Sequence, residues 1–208
     1  TKLSLLLKVL EGETGETLGL KQLKLFHERA LPDLDANILC GNSLIGGDFF
    51  DGRLDLEAEE RRRINAFDWA AGFPGVFTPT PTLPRQGGGG QSPSPSTGEG
   101  RDGGEGGFDA VIGNPPYIRI QTLKEWAPLE VEHYKTAYRA ASKGNYDIYA
   151  VFVERGLQLL NPRGRLGFIL PHKFFNAEYG EPLRGLISAG RHLAEVVHFG
   201  HQQVFDQA

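Results

Sequence analysis

An α/β fold with a mainly parallel sheet is what this chain predicts, and three observations carry it. Short apolar runs alternate along the chain with longer stretches of helical periodicity. Strands separated by helices pair in parallel, because each crossover returns the chain to the same end of the sheet. The segment richest in functional side chains, Asn114-Pro115-Pro116-Tyr117, directly follows one of the apolar runs. That is the carboxyl end of a strand, where parallel sheets place their sites.

The elements follow in order. Leu3, Leu6, Leu7 and Leu10 share helical spacing, and so do Leu20, Leu23 and Phe26. Asn37 to Cys40 is expected as a short buried strand, with Gly41-Asn42-Ser43 as the loop at its end. Residues 55–64 are charged and predicted helical. Phe67-Asp68-Trp69 and the stretch from Phe73 to Phe77 predict an aromatic-anchored connection. Phe108 to Ile112 predicts a buried strand, followed by a loop from Gly113 to Ile120. Helices are predicted over 129–139, 147–160 and 181–189, the second stopped by Asn161-Pro162-Arg163-Gly164. Leu166 to Leu170 predicts a strand ended by Pro171, and Ala194 to Phe199 a further one.

Residues 78–107 break this pattern. They are almost all Gly, Pro, Ser, Thr and charge, with too little apolar surface to offset the entropy of ordering. They are expected as a disordered insertion in a surface loop, dividing the chain into 1–77, 78–107 and 108–208. Long loops are tolerated because closure entropy grows slowly with length. Gly98 to Gly103 fits the spacing G-x-G-x-x-G, but no strand precedes it and no helix follows, so it reads as linker.

Composition narrows the class. With 39% hydrophobic and 10% aromatic residues, the 208-residue chain can bury a core. It has no apolar run long enough to span a membrane and no pattern of a secretory signal, so a cytoplasmic protein is expected. The single cysteine, Cys40, excludes an internal disulfide and a multi-cysteine zinc site. It is expected as a buried small hydrophobe rather than a nucleophile. The net charge of −4 argues against a main DNA-gripping module, but leaves chemistry on DNA open. Arg61 to Arg63 read as a solvated helix face, and His198 and His201 as surface residues with no ligand cluster beside them. The chain lacks methionine and opens at Thr1 within a helical pattern, as a partial domain would.

The chemistry sits in Asn114-Pro115-Pro116-Tyr117. An exocyclic amino group is a poor nucleophile, because its lone pair is delocalised into the ring. To attack a methyl donor it rehybridises, and positive charge develops on nitrogen. Acceptors aimed at its hydrogens favour that state. The Asn114 side-chain oxygen is one such acceptor and the Pro115 carbonyl a second. Two prolines restrict the loop before substrate arrives. Tyr117 offers a flat face for a base swung out of its duplex.

Val111-Ile112-Gly113-Asn114-Pro115-Pro116-Tyr117 resembles the catalytic motif of adenine-specific DNA methyltransferases. Residues 30–46, 67–77, 106–119 and 164–184 resemble the type II restriction-modification methylases, in which methylase and nuclease are often fused. The resemblance implies a Rossmann-like class I methyltransferase fold, incomplete at the N-terminus. It implies S-adenosylmethionine as cofactor and double-stranded DNA with a flipped adenine as partner, methylated on its 6-amino group without a covalent intermediate. Asn114 and Pro115 would bind the amino group, with Pro116 holding the loop, and Tyr117 would stack on the base. Gly41, Asn42 and Ser43 match the segment near the cofactor adenine. Asn42 is equally a loop-forming residue. Phe205 falls where the family supplies a second aromatic, and is otherwise a core or edge side chain.

The family's glycine-rich cofactor loop and ribose-binding acid precede the first helix of this chain, and its target-recognition domain would follow Ala208. The fragment alone is therefore expected to be inactive. The alternatives are an inactive remnant or structural fragment, or a methyltransferase acting on a protein glutamine or an RNA base. No lysine has Asp or Glu two positions before it, so no nuclease activity is expected within this chain.

Overall fold

The computed structural model describes residues 36–53, 55–77 and 106–200. The predicted helices in 2–10 and 18–29, residues 78–105 of the insertion, His201 and Phe205 lie outside the described residues. The chain divides into two units, Thr1–Gly41 and Asn42–Ala208.

Of the first unit, residues 36–41 are described. Asn37 to Cys40 do not form the expected strand, and Leu39 and Cys40 are exposed rather than buried. A strand needs a ladder as well as an apolar sequence. Among the described residues the first bridge comes later, between Asn42 and Ala66 in the second unit.

The second unit opens with a 3₁₀ turn at Gly47–Phe50, then helix α1 (Ala58–Ile64). Asn65 ends α1 in the left-handed conformation, where asparagine is tolerated. The turn brings Asn65 back to accept from the Asn42 amide at 2.6 Å. Two single-turn helices follow, α2 (Trp69–Gly72) and α3 (Pro74–Phe77). Asp68 caps α2, accepting from the amides of Ala70 and Ala71. Trp69 and Phe73 stack on each other, and both meet the edge of Phe108. Phe77 meets Phe108 as well. The expected aromatic connection thus pins α2 and α3 to the start of strand β1 (Phe108–Gly113).

Gly106 and Gly107, expected inside the insertion, belong to the ordered approach to β1. The Gly107 amide donates to the Val76 carbonyl at 2.9 Å. Gly107 has φ +141°, and a Cβ there would lie 2.5 Å from the Asn161 backbone nitrogen, so this close crossing requires glycine.

β1 pairs in parallel with β2 (Leu160–Phe168), with Ala110, Val111, Ile112 and Gly113 opposite Arg165, Leu166, Gly167 and Phe168. Phe108 faces Leu160, so the register jumps between the two ends. The predicted stop at Asn161–Gly164 is the cause: it interrupts the ladder as an irregularity inside β2 instead of preceding the strand. Asn161 bonds Asp109 and accepts from the Arg163 amide, an Asx turn.

Two strands, not a larger sheet, are seen among the described residues. Residues 194–199, expected as a strand, are irregular and exposed. β1 is not the buried strand expected, because β2 covers one edge and Ile112 is 86% exposed.

Between the strands lie α4 (Ile120–Trp126), α5 (Pro128–Ala137) and α6 (Tyr149–Gln158); α7 (Glu181–Ala189) follows β2. Ile120 was expected as the end of a loop, and residues 121–128 were assigned no element. In α4, Ile120 and Leu123 enter the core with Ala127, which separates this helix from α5. α6 is buried on two sides. Val151 joins the core of Leu44, Ile45, Ile64, Val131 and Tyr134, while Tyr149, Ala150 and Val153 join that of Phe174 and Leu183.

Arg61 and Arg63 do not form a simple solvated face. Arg61 donates to the carbonyls of Arg53 and Leu56, with its guanidinium over the Phe50 ring. Arg63 makes a two-pronged bond with buried Glu130 of α5, at 2.7 and 3.0 Å. Arg61 folds back onto the turn just before its own helix, while Arg63 reaches a partner 67 positions along the chain, which no local charge pattern reveals. Among the described residues, no helix is long and apolar enough to cross a membrane.

Candidate active site at the carboxyl ends of the paired strands

Asn114 to Tyr117 leave β1 immediately after Gly113, as its carboxyl-terminal loop. The parallel register sets what lies beside it. Gly113 faces Phe168, and the next amide of the neighbouring segment, that of Ile169, donates to the Gly113 carbonyl at 3.2 Å. Ile169 then turns its own carbonyl to Tyr117, whose hydroxyl approaches it at 2.9 Å. The two strand ends are thus tied twice through one residue.

Within the loop, Pro115 is buried while Asn114, Pro116 and Tyr117 are exposed. The Tyr117 hydroxyl also lies 2.6 Å from the Asn114 side-chain oxygen. Its ring is 46% exposed, and its partial burial raises the phenol above its ordinary pKa. The site therefore presents a neutral phenol, an amide and a partly open aromatic face.

Tyr149 supports that ring from below. The two rings meet edge to face, centroids 6.3 Å apart and planes at 89°. A short antiparallel tie places Tyr149. The Ile148 amide donates to Ile118 and the Ile120 amide to Tyr146, with Arg119 opposite Asp147. The Tyr149 hydroxyl is 3.0 Å from that of Tyr179, which donates to Asp147 at 3.3 Å. Burial pushes the Tyr149 phenol strongly upward.

The arrangement suits a planar substrate bearing an amino group. An acceptor-bearing side chain and an aromatic face emerge from one short, braced loop at the strand ends.

Comparison with known proteins agrees with the motif. The family model described as Eco57I restriction-modification methylase matches residues 1–205. The chain belongs to the Eco57I restriction-modification methylase family. The Type II restriction enzyme and methyltransferase RM.Eco57I of Escherichia coli is 34% identical over 97% of this chain, which covers 16% of that protein. The type II methyltransferase M.PaeR7I of Pseudomonas aeruginosa is 44% identical over 43% of the chain and 15% of its own length. M.XhoI of Xanthomonas vasicola is 40% identical over 47% of the chain and 17% of its own length. The chain thus spans about a sixth of the length of these relatives.

The other segment singled out for this Eco57I-family chain is Gly41-Asn42-Ser43. Gly41 belongs to the first unit and is exposed. In the second unit, the Asn42 side-chain oxygen accepts from the Leu44 amide at 3.1 Å, and its amide is hydrogen-bonded to the Tyr134 hydroxyl. The Ser43 carbonyl accepts from Trp69 Nε1 at 3.1 Å and Arg155 Nε at 3.3 Å. Asn42 therefore shapes the start of the unit, and Ser43 is held by its backbone.

Tyr149 and the Ile169 carbonyl are site groups that sequence reading missed. Tyr149 lies on the buried face of an amphipathic helix, where an aromatic reads as core. Ile169 contributes only backbone. The available signal was topological: in a parallel pair, the residue ending the second strand lies beside the loop after the first.

Proposed function

We propose that this chain forms the target-base half of an S-adenosylmethionine-dependent DNA methyltransferase site, acting on the 6-amino group of adenine. The observation that carries the proposal is the braced Asn114–Tyr117 loop at the carboxyl end of a parallel strand. Membership of a restriction-modification methylase family supports DNA as the substrate. In this reading β1 and β2 are part of a Rossmann-like sheet.

Asn114 and the Pro115 carbonyl accept the two amino hydrogens of the base. That draws the nitrogen lone pair out of the ring and stabilises the positive charge that develops as the new bond to carbon forms. Tyr117 stacks on a base turned out of the duplex, and its neutral phenol adds no charge beneath the ring. Pro115, buried, and Pro116 hold the loop in place before the base arrives. When bound, S-adenosylmethionine supplies an electrophilic methyl group on a sulfonium centre. Of the residues proposed near it, Gly41 contributes backbone, Asn42 shapes the loop through Leu44 and Tyr134, and Ser43 has a hydroxyl to offer. Phe205 is proposed as the second aromatic beside the base.

The test is transfer of labelled methyl to double-stranded DNA by a protein carrying this chain, with the product nucleoside identified by mass spectrometry. The expected product is 6-methyladenine. Substituting Asn114→Ala is expected to lower kcat at least about a hundredfold. Methylated cytosine, or label found only in RNA or protein, would overturn the substrate. Full activity in the Asn114 variant would overturn the site.

A further inference from the structure

The Tyr117 hydroxyl sits 2.6 Å from the Asn114 side-chain oxygen and 2.9 Å from the Ile169 carbonyl oxygen. It has one proton to donate. The Ile169 carbonyl can only accept, and the strand pairing at Gly113 fixes its place. The two ends of an asparagine amide are nearly the same size, so the proton count decides which end faces the phenol.

We infer that Tyr117 is a positioning residue for Asn114. Its hydroxyl donates to Ile169 and accepts from Asn114 Nδ2, turning the Asn114 oxygen outward toward the substrate amino group. All three groups are then satisfied, whereas the opposite orientation leaves two acceptors competing for one proton. An N–H donor prefers about 2.9 Å, a small shift for an exposed side chain. The inference deepens the methylation reading and rests on it for its purpose, but the amide orientation can be measured without methylation. It also separates two roles of one side chain: the ring stacks, and the hydroxyl orients.

The experiment uses the full chain labelled with nitrogen-15. The Asn114 side-chain resonance is identified by its loss in Asn114→Asp. One Asn114 amide proton is expected to exchange with water about tenfold more slowly than those of exposed Asn145, a factor in keeping with one net hydrogen bond. The protection should vanish in Tyr117→Phe, which keeps the ring. In a protein carrying the chain, Tyr117→Phe should lower kcat roughly fivefold with KM for DNA unchanged. Exchange of Asn114 at the rate of Asn145 in the wild-type chain overturns the inference. So does protection that survives in Tyr117→Phe, or a loss confined to KM. Protection without any methylation leaves the orientation standing and removes the methyltransferase reading instead.

Discussion

The Gly107 amide donates to the Val76 carbonyl at 2.9 Å, so the two ends that bracket residues 78–105 stand one hydrogen bond apart. Residues 78–105 span no distance that the fold needs bridged. Replacing residues 78–105 by a short Asn-Gly turn should therefore keep the fold. Shortening the loop through nearly four halvings should stabilise it by about 2 kcal/mol. Thermal unfolding followed by circular dichroism checks this; a lower Tm would show that these residues contribute to the fold.

Gly107 itself is constrained. Gly107→Ala would set a methyl against the Asn161 backbone in a conformation L-residues rarely adopt. The cost should be about 2 kcal/mol or more. Gly52 also has positive φ, but open space beside it, so Gly52→Ala should cost less, about 1 kcal/mol. Urea unfolding of the two variants compares them. Equal losses would mean that the close crossing at Asn161 adds nothing.

Arg63 and Glu130 should respond unequally to substitution. Glu130 is buried, whereas the Arg63 side chain is 38% exposed. Removing the arginine strands a carboxylate away from water; removing the carboxylate leaves a guanidinium that water can reach. Arg63→Met should cost about 2 kcal/mol, less than a fully buried pair because solvent screens it, and Glu130→Gln about half as much. Chemical denaturation of both variants measures the difference, and the reverse order would disprove the argument.

Alkaline pH should unfold the chain before its phenols ionise in the folded state. Burial pushes Tyr134 and Tyr138 up to about 12, from the ordinary value of 10.0, and moves Tyr146 and Tyr149 further in the same direction. A raised phenol holds its proton more tightly when folded. Its contribution is complete below pH 10, and is lost as pH rises from there toward the folded value. Circular dichroism and the tyrosinate absorbance of these four buried phenols, recorded together in a Tyr117→Phe background, should change in one transition. Ionisation well ahead of unfolding would contradict the burial.

Asn114 to Tyr117 could be found by reading alone, because the motif is contiguous and its strand announces itself locally. The helix at 181–189 was legible to the residue, since its apolar spacing and entry proline act within a few turns. Asn37 to Cys40 and Ala194 to Phe199 were not. Both are apolar enough for strands, but a strand exists only where another backbone offers a ladder, and that partner is not in the local pattern. The helix at Ile120–Trp126 was missed because its Ile120 and Leu123 reveal their face only when packed against Tyr146 and Val131.

The sequence by itself determined the chemistry on offer: which loop bears the amide, the two prolines and the aromatic ring, and which strand precedes it. It also determined the family, because that motif and its flanks are contiguous stretches of chain. Only the tertiary structure decided what braces the loop. Ile169 reaches Tyr117 across 52 positions, and Tyr149 comes beneath it through the tie at Ile118 and Ile148. The physical reason is that these contacts arise from strand register and from backbone groups, which every residue carries alike and no side-chain pattern records.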